Sequence, residues 1–340
     1  MPGNPTQEAQ DTTIQQALSS AIHHLHAGQL SEAEHLFQHI LQHDPDQPVA
    51  LHLLGVLLHQ SGNSEMAVPL IKKSVSICPA YVGAHNNLGN VLREQGKLQE
   101  AAASYQQAIA IKPDYAEAHS NLGLVLLHLG QPDRAIDCCL NALAIRADFP
   151  AALNILGNSF STLGNLEKAA ACYRNAIVLQ PVQAESHYNL AKVLLKLDRP
   201  DESISSFRRA IEARPEFVEA YNDLGATLQK CAMFEQAIAC YNRAITIRPD
   251  FADAHSNLGN ALALLGRLDE ATASYRRALD IRPDLAEAAG AMGSLLMAAG
   301  RPEEGLEWEK KGFGIITFDI DQGISIDIHS STTEVCHEAN

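Results

Sequence analysis

The sequence predicts an all-α protein, an α-solenoid of about nine helix–turn–helix units of 34 residues each. Three observations carry this. Gly or Ala recurs every 34 residues without an insertion, at Ala21, Gly55, Gly89, Gly123, Gly157, Ala191, Gly225, Gly259 and Gly293. Within each unit the apolar residues fall four apart, the spacing that puts them on one helix face. Pro then closes most units at the same place, at Pro45, Pro79, Pro113, Pro181, Pro215, Pro249 and Pro283. A fixed period of this length marks a stack of helical hairpins, each burying its apolar face only against its neighbours.

Counting Val82 as position 1 of a unit places the small residue at position 8, where it lets two helices approach closely. Helix A presents Leu at position 7 (Leu54, Leu88, Leu122, Leu156, Leu190, Leu224, Leu258, with Met292 last) and a second knob one turn on at position 11. Position 15 is Gly in Gly62, Gly96, Gly130, Gly164, Gly266 and Gly300, suiting a helix C-terminus that needs positive φ. Helix B begins with Pro at Pro132, Pro200 and Pro302, where a missing N–H costs nothing. It carries Ala at position 20, a large residue at position 24 (Phe37, Tyr105, Tyr173, Phe207, Tyr241, Tyr275) and Ala at position 27 from Ala108 to Ala278.

In chain order, residues 1–13 are polar and read as a disordered lead-in without the charged-then-apolar pattern of a signal peptide. Residues 14–47 form a degenerate first unit, with Ser20 in place of the position-7 Leu and His24 at position 11, as expected of a cap. His35, His39 and His43 line one face of its helix B. Two His at i and i+4 can chelate Zn²⁺, but no Cys or paired carboxylate joins them, so they read as a solvated stripe. Residues 48–285 hold seven regular units, whose weakest joints are Asp198 and Lys230–Ala232, where the turn Gly is missing. The unit at 286–319 decays: Gly305, Glu309 and Gly312 replace the usual Ala, aromatic and Ala, and Trp308 is placed to pack on the end of the stack. From 314 the period changes to two, which reads as a β-hairpin, and 329–340 as a polar, disordered tail.

The recurring Leu–Gly, Ala, aromatic, Ala and Pro positions resemble the tetratricopeptide repeat (TPR) family over residues 14–319. The departure is position 4, where the family's large residue is His85, His119, His187 and His255 in four units. The resemblance implies a right-handed superhelix whose inner wall is built from helix A and whose groove binds other proteins. The runs YAEAHSNLG (115–123) and FADAHSNLG (251–259) are similar to the TPR superhelix of the O-GlcNAc transferase family, in which an Asn ladder holds substrate proteins and a glycosyltransferase domain follows. On this chain Asn87, Asn121, Asn189 and Asn257 match that ladder, Leu53 and Ile155 break it, and the catalytic domain has no counterpart. The carboxylate clamp of co-chaperone TPRs needs Lys at positions 5 and 2; here position 5 is His52, Asn86, Ser120, Asn154, Tyr188, Asn222 or Ser256.

Composition narrows the function. A net charge of −15 argues against a nucleic-acid or anionic-membrane surface. No apolar run reaches the length of a membrane span. Seven cysteines include no CxxC pair, and Cys138, Cys172 and Cys240 sit one repeat apart at position 23, beyond disulfide reach, so reduced thiols and a cytoplasmic setting are expected. There is no P-loop, GxSxG or GxGxxG signature, so no enzyme activity and no cofactor are expected. The candidate site is instead a surface. Position 6 of helix A is Asn87, Asn121, Asn189, Asp223 and Asn257, and position 9 adds Asn90, Asn158 and Asn260. Carboxamides one repeat apart make a ladder of donors and acceptors suited to the backbone of an extended peptide. Acidic residues at position 2 (Glu117, Glu185, Glu219, Asp253, Glu287) point to a neutral or basic partner, and Arg174, Arg208, Arg209, Arg243, Arg276 and Arg277 to an outer, solvated stripe. The reading is a non-catalytic scaffold. The alternatives are the substrate-recognition arm of a glycosyltransferase-like enzyme, favoured by the hairpin, and self-association.

Overall fold

The computed structural model describes residues 5–313, 315–319 and 323–327. These divide into two compact bodies, residues 1–181 and 182–340. The first holds five helical pairs: α1 (Pro5–His26) with α2 (Leu30–His43), α3 (Pro48–Gln60) with α4 (Ser64–Ile77), α5 (Val82–Glu94) with α6 (Leu98–Ile111), α7 (Ala116–His128) with α8 (Pro132–Ile145), and α9 (Pro150–Thr162) with α10 (Leu166–Leu179). The second holds four: α11 (Ala184–Lys196) with α12 (Pro200–Ala213), α13 (Val218–Lys230) with α14 (Phe234–Ile247), α15 (Ala252–Leu264) with α16 (Leu268–Ile281), and α17 (Ala286–Ala298) with α18 (Pro302–Phe313). Strands β1 (Ile315–Asp319) and β2 (Gly323–Asp327) pair antiparallel, with Thr317 opposite Ser325. The tail at 329–340 lies outside the described residues.

Six of the nine pairs are closed by an aromatic side chain at position 24, and two by the smaller, fully buried Ile71 and Cys139. Phe37, Tyr105, Tyr173, Phe207, Tyr241 and Tyr275 are fully buried, and the Ala residues at positions 20 and 27 seat them against helix A. Burial of one such side chain is worth about 1.5–3 kcal/mol. The turn between helices A and B is equally regular. Gly96 takes φ +74°, its N–H donates to the Arg93 carbonyl at 2.9 Å, and the Lys97 N–H reaches back to Leu92 at 2.9 Å. This is the Schellman closure of a helix C-terminus.

The two joints lacking Gly keep the same turn. Asp198 and Ala232 adopt φ +56° and +58°, and the Met233 N–H reaches Leu228 at 2.9 Å as its equivalents do. The hydrogen bonds of the turn impose the left-handed conformation even where the residue resists it.

Two ends differ from the sequence reading. The lead-in expected over 1–13 is helical from Pro5, because Pro suits a first helical turn and no breaker follows before Gly28. In α1, exposed Ser20 leaves position 7 empty of apolar contact and Leu18 takes over the core role. At the other end, loss of the aromatic lets α17 and α18 draw together until a Cβ on Gly312 would lie 2.4 Å from the Gly290 nitrogen. Trp308 packs, half-buried, against the core of the second body, with the Lys311 ammonium 4.1 Å from its ring centre.

Candidate functional site

All eight polar residues singled out on helix A lie half-buried on that helix's face, and the structure ties most of them down. Position 6 reaches across the joint to position 5 of the preceding unit, 35 residues earlier. Asn87 Nδ2 donates to His52 Nε2 at 2.8 Å, Asn121 Nδ2 to Asn86 Oδ1 at 3.2 Å, and Asn257 Nδ2 to Asn222 Oδ1 at 3.0 Å. Where position 6 is a carboxylate, which can only accept, the preceding position 5 is a donor: Tyr188 gives its hydroxyl to Asp223 at 2.7 Å. Donor and acceptor are therefore matched at each of these joints.

Position 9 has a different task. Asn90, Asn158 and Asn260 each accept the hydroxyl of the position-24 Tyr of their own unit, from Tyr105 at 2.8 Å, Tyr173 at 2.6 Å and Tyr275 at 2.7 Å. In the unit with Ala at position 9, Tyr241 turns to Gln229 Oε1 at 3.1 Å. A buried Tyr hydroxyl needs a partner, and this Asn supplies it.

In the first body these side chains floor a groove of about 600 Å³ between α3, α5 and α7, lined by Val56, His59, Gln60, Asn87, Asn90, Val91, Arg93, Glu94 and Asn121. Asn87, Asn90 and Asn121, predicted as ligands from three separate positions, come together here. They form a chain: Asn90 Nδ2 donates to Asn87 Oδ1 at 3.5 Å, and Asn121 Nδ2 to Asn90 Oδ1 at 3.3 Å. Its anchor is His52, buried among apolar neighbours, which hold its pKa down to about 4. Neutral His52 accepts Asn87 on Nε2, so its proton sits on Nδ1, 2.9 Å from the Tyr81 hydroxyl. On the rim Glu94 pairs with His59 at 2.9 Å, and Arg93 Nε is buried without a hydrogen-bond partner. His52, His59, Gln60 and Arg93 were not singled out by the carboxamide ladder; positions 12 and 13 vary too much between units to stand out.

The second body places Asn189, Asp223, Asn257 and Asn260 on the helix-A faces of α11, α13 and α15. Lys192 lies over the ring of Tyr188 there, at 5.2 Å.

Four of the five acidic residues at position 2, all but Glu287, are held in ion pairs within their own units. Glu117, Glu185, Glu219 and Asp253 pair with Arg146, Arg214, Arg248 and Arg282 at the far end of the same unit, 29 residues on, at 2.7 Å for Arg146 and Arg248. Arg146, Arg214 and Arg248 also stack on Phe149, Phe217 and Phe251. The position-4 His has a structural use as well. His85, His119 and His255 each donate a ring N–H to the carbonyl of the preceding Pro79, Pro113 and Pro249, at 3.0, 2.9 and 3.1 Å. Among the described cysteines all are free; burial pushes the Cys139 thiol up to about 12 and those of Cys138 and Cys240 to about 11, which keeps them protonated and unreactive at neutral pH. No group of three metal-ligating side chains occurs among the described residues; His43 Nδ1 instead meets the His39 carbonyl at 2.9 Å. No described helix is long and apolar enough to cross a membrane.

Stacked helical pairs of fixed length, six of them closed by an aromatic from the second helix, define a helical-repeat protein. The chain belongs to the tetratricopeptide repeat family: its models match residues 24–75, 89–130, 116–149, 156–226, 234–266 and 252–285. No curated protein matches the chain in sequence. Among solved structures, the Cut9–Hcn1 hetero-tetramer of APC/C is similar in fold, with a TM-score of 0.59 at 18% identity over 78% of this chain and 52% of that one. The pilF protein of Pseudomonas aeruginosa gives 0.55 at 20% identity over 61% and 94%.

Proposed function

We propose that this protein is a non-catalytic interaction scaffold that holds an extended segment of another polypeptide on its helix-A face. The supporting observation is the groove between α3, α5 and α7, where polar side chains converge on an open floor beside apolar Val56. Asn121 spends its amide on Asn86 and Asn90, which leaves Oδ1 as an acceptor, while Arg93 Nε lacks an acceptor. A peptide group brings one N–H and one C=O, the complement of that pair. A buried donor without a partner costs about 1–3 kcal/mol, and rotation of Arg93 toward an incoming carbonyl relieves it. With four of the five position-2 acids neutralised internally, the preference for a neutral or basic segment rests on the net charge of −15.

The test is selection of unstructured twelve-residue peptides from a displayed library on the full chain. Selected peptides should bind the Asn121→Ala variant about tenfold more weakly, the worth of one hydrogen bond, and the groove-filling Val56→Trp variant hardly at all. Peptides that bind Val56→Trp as well as they bind the unaltered chain would remove this groove from the proposal.

A further inference from the structure

The outer face of the second body carries a feature that the helix-A groove does not use. Position 26 of helix B is Arg209, Arg243, Arg277 and Lys311 in four consecutive units, on α12, α14, α16 and α18, and all four are exposed. Arg208 and Arg276 stand beside them at position 25, also exposed. In the first body position 26 is Gln107, Asn141 and Asn175 on α6, α8 and α10, and Lys73 on α4, which is paired with Asp46 at 2.8 Å as Lys72 beside it is with Glu100 at 2.9 Å. In a chain with 25 Lys and Arg against 40 Asp and Glu, this concentration of cations on one face of one body runs against the average.

The chain's own carboxylates only partly offset it. Arg209 pairs with Glu212 at 2.8 Å, and Arg208 reaches only the neutral Gln236 at 3.2 Å. Arg243, Arg276 and Arg277 have no carboxylate partner among the described residues, which contrasts with the paired arginines at position 31. Next to them a cleft of about 270 Å³ opens between α14 and α16 over Leu258 and Leu262 of α15, where Asn242, Ser274 and the paired Arg267 and Glu270 flank apolar Ile238.

We propose that this outer face docks an extended acidic segment of a partner protein, with one carboxylate per repeat. Successive helices B are near enough for the Arg208 side chain on α12 to reach Gln236 on α14 at 3.2 Å, a step that about three residues of extended chain cover at about 3.3 Å each. A carboxylate at every third residue therefore meets the guanidiniums of Arg209, Arg243 and Arg277 on α12, α14 and α16 and the Lys311 ammonium on α18, and a twelve-residue segment spans the four units. Arg suits this task because its planar fork donates two parallel hydrogen bonds to a carboxylate.

Two peptides of identical composition make the test: one with Glu at every third residue, the other with its four Glu contiguous and the same Gly and Ser elsewhere. Binding of each to the full chain is read by fluorescence anisotropy in about 0.15 M salt, where charges separated by more than about 8 Å are screened. The spaced peptide should bind more tightly than the contiguous one. The Arg243→Gln, Arg276→Gln, Arg277→Gln triple variant should weaken it about tenfold, with its helical circular dichroism unchanged. Equal binding of the two peptides, no binding of either, or full binding to the triple variant would each overturn the proposal. A phosphorylated version that binds where the Glu peptide does not would also overturn it, since the face would then select phosphate rather than carboxylate.

Discussion

Adding a single methyl group at Gly89 should destabilise the third unit, and the reason is the hydroxyl of Tyr105. A Cβ on Gly89 would lie 2.5 Å from Tyr105 Cε1 and 2.8 Å from Cδ1 and Cζ, so the ring would have to shift by roughly 1 Å to regain van der Waals contact. The ring is fully buried and its hydroxyl is held by Asn90 at 2.8 Å, on the helix that carries Gly89, so it has nowhere to go. Overpacking costs about 1–3 kcal/mol, and replacing a mid-helix Gly by Ala returns about 1 kcal/mol. A 2.5 Å clash with a held ring puts the cost at the upper end of the overpacking range, about 2–3 kcal/mol, so Gly89→Ala should lose about 1–2 kcal/mol net, read as a lower urea midpoint and faster hydrogen exchange in α5 and α6. The chain contains its own control. Gly at position 8 faces Tyr in four units, with Cβ clashes of 2.5–2.7 Å at Gly89, Gly157, Gly225 and Gly259, whereas Ala21 and Ala191 face Phe37 and Phe207. A ring without a hydroxyl is not drawn over position 8. In a Tyr105→Phe background, with the clash relieved, the Gly89→Ala change should instead gain up to about 1 kcal/mol. Gly123→Ala, whose Cβ meets Cys139 Sγ at 3.0 Å, the Ala135 carbonyl at 3.3 Å and Cys138 Cβ at 3.5 Å, should lose less than Gly89→Ala. A Gly89→Ala variant as stable as the parent, or one equally destabilised in the Tyr and Phe backgrounds, would refute this account of the Gly–Tyr pairing.

Two further outcomes follow from the same coordinates. Ala232 sits at φ +58° without the freedom of Gly, so Ala232→Gly should raise the stability of the second body by about 1 kcal/mol, while Asp198→Gly should gain less because Asp tolerates that conformation better; a lower urea midpoint for Ala232→Gly would count against the turn. His52 is neutral in the fold, with its pKa held near 4 against an ordinary 6.5. The unfolded chain takes up a proton that the fold refuses, so stability falls as pH drops from about 6.5 to about 4 and levels off below. A series of thermal melts across that range should slope less for His52→Gln, and an unchanged slope would show that His52 is not the group responsible.

Much of the fold was legible in the sequence because its signals are local or strictly periodic. The 34-residue step, the Gly that permits positive φ at position 15 and the Pro that opens helix B need no knowledge of what lies across the joint. The ladder of carboxamides was visible on one helix face for the same reason. Its occupation was not. Whether Asn87 offers its amide to a ligand or to His52 depends on a contact 35 residues away, and Asn90 looks equivalent to Asn87 until Tyr105 is seen to use it. The acids at position 2 likewise read as an open charged surface, although Glu219 is paired with Arg248 at the other end of its unit. A repeat fixes which direction a side chain faces, since that follows from helical geometry. Whether its hydrogen-bonding capacity remains free is decided only when neighbouring helices pack, because its partners come from residues that the period places nearby in space but far apart in the chain.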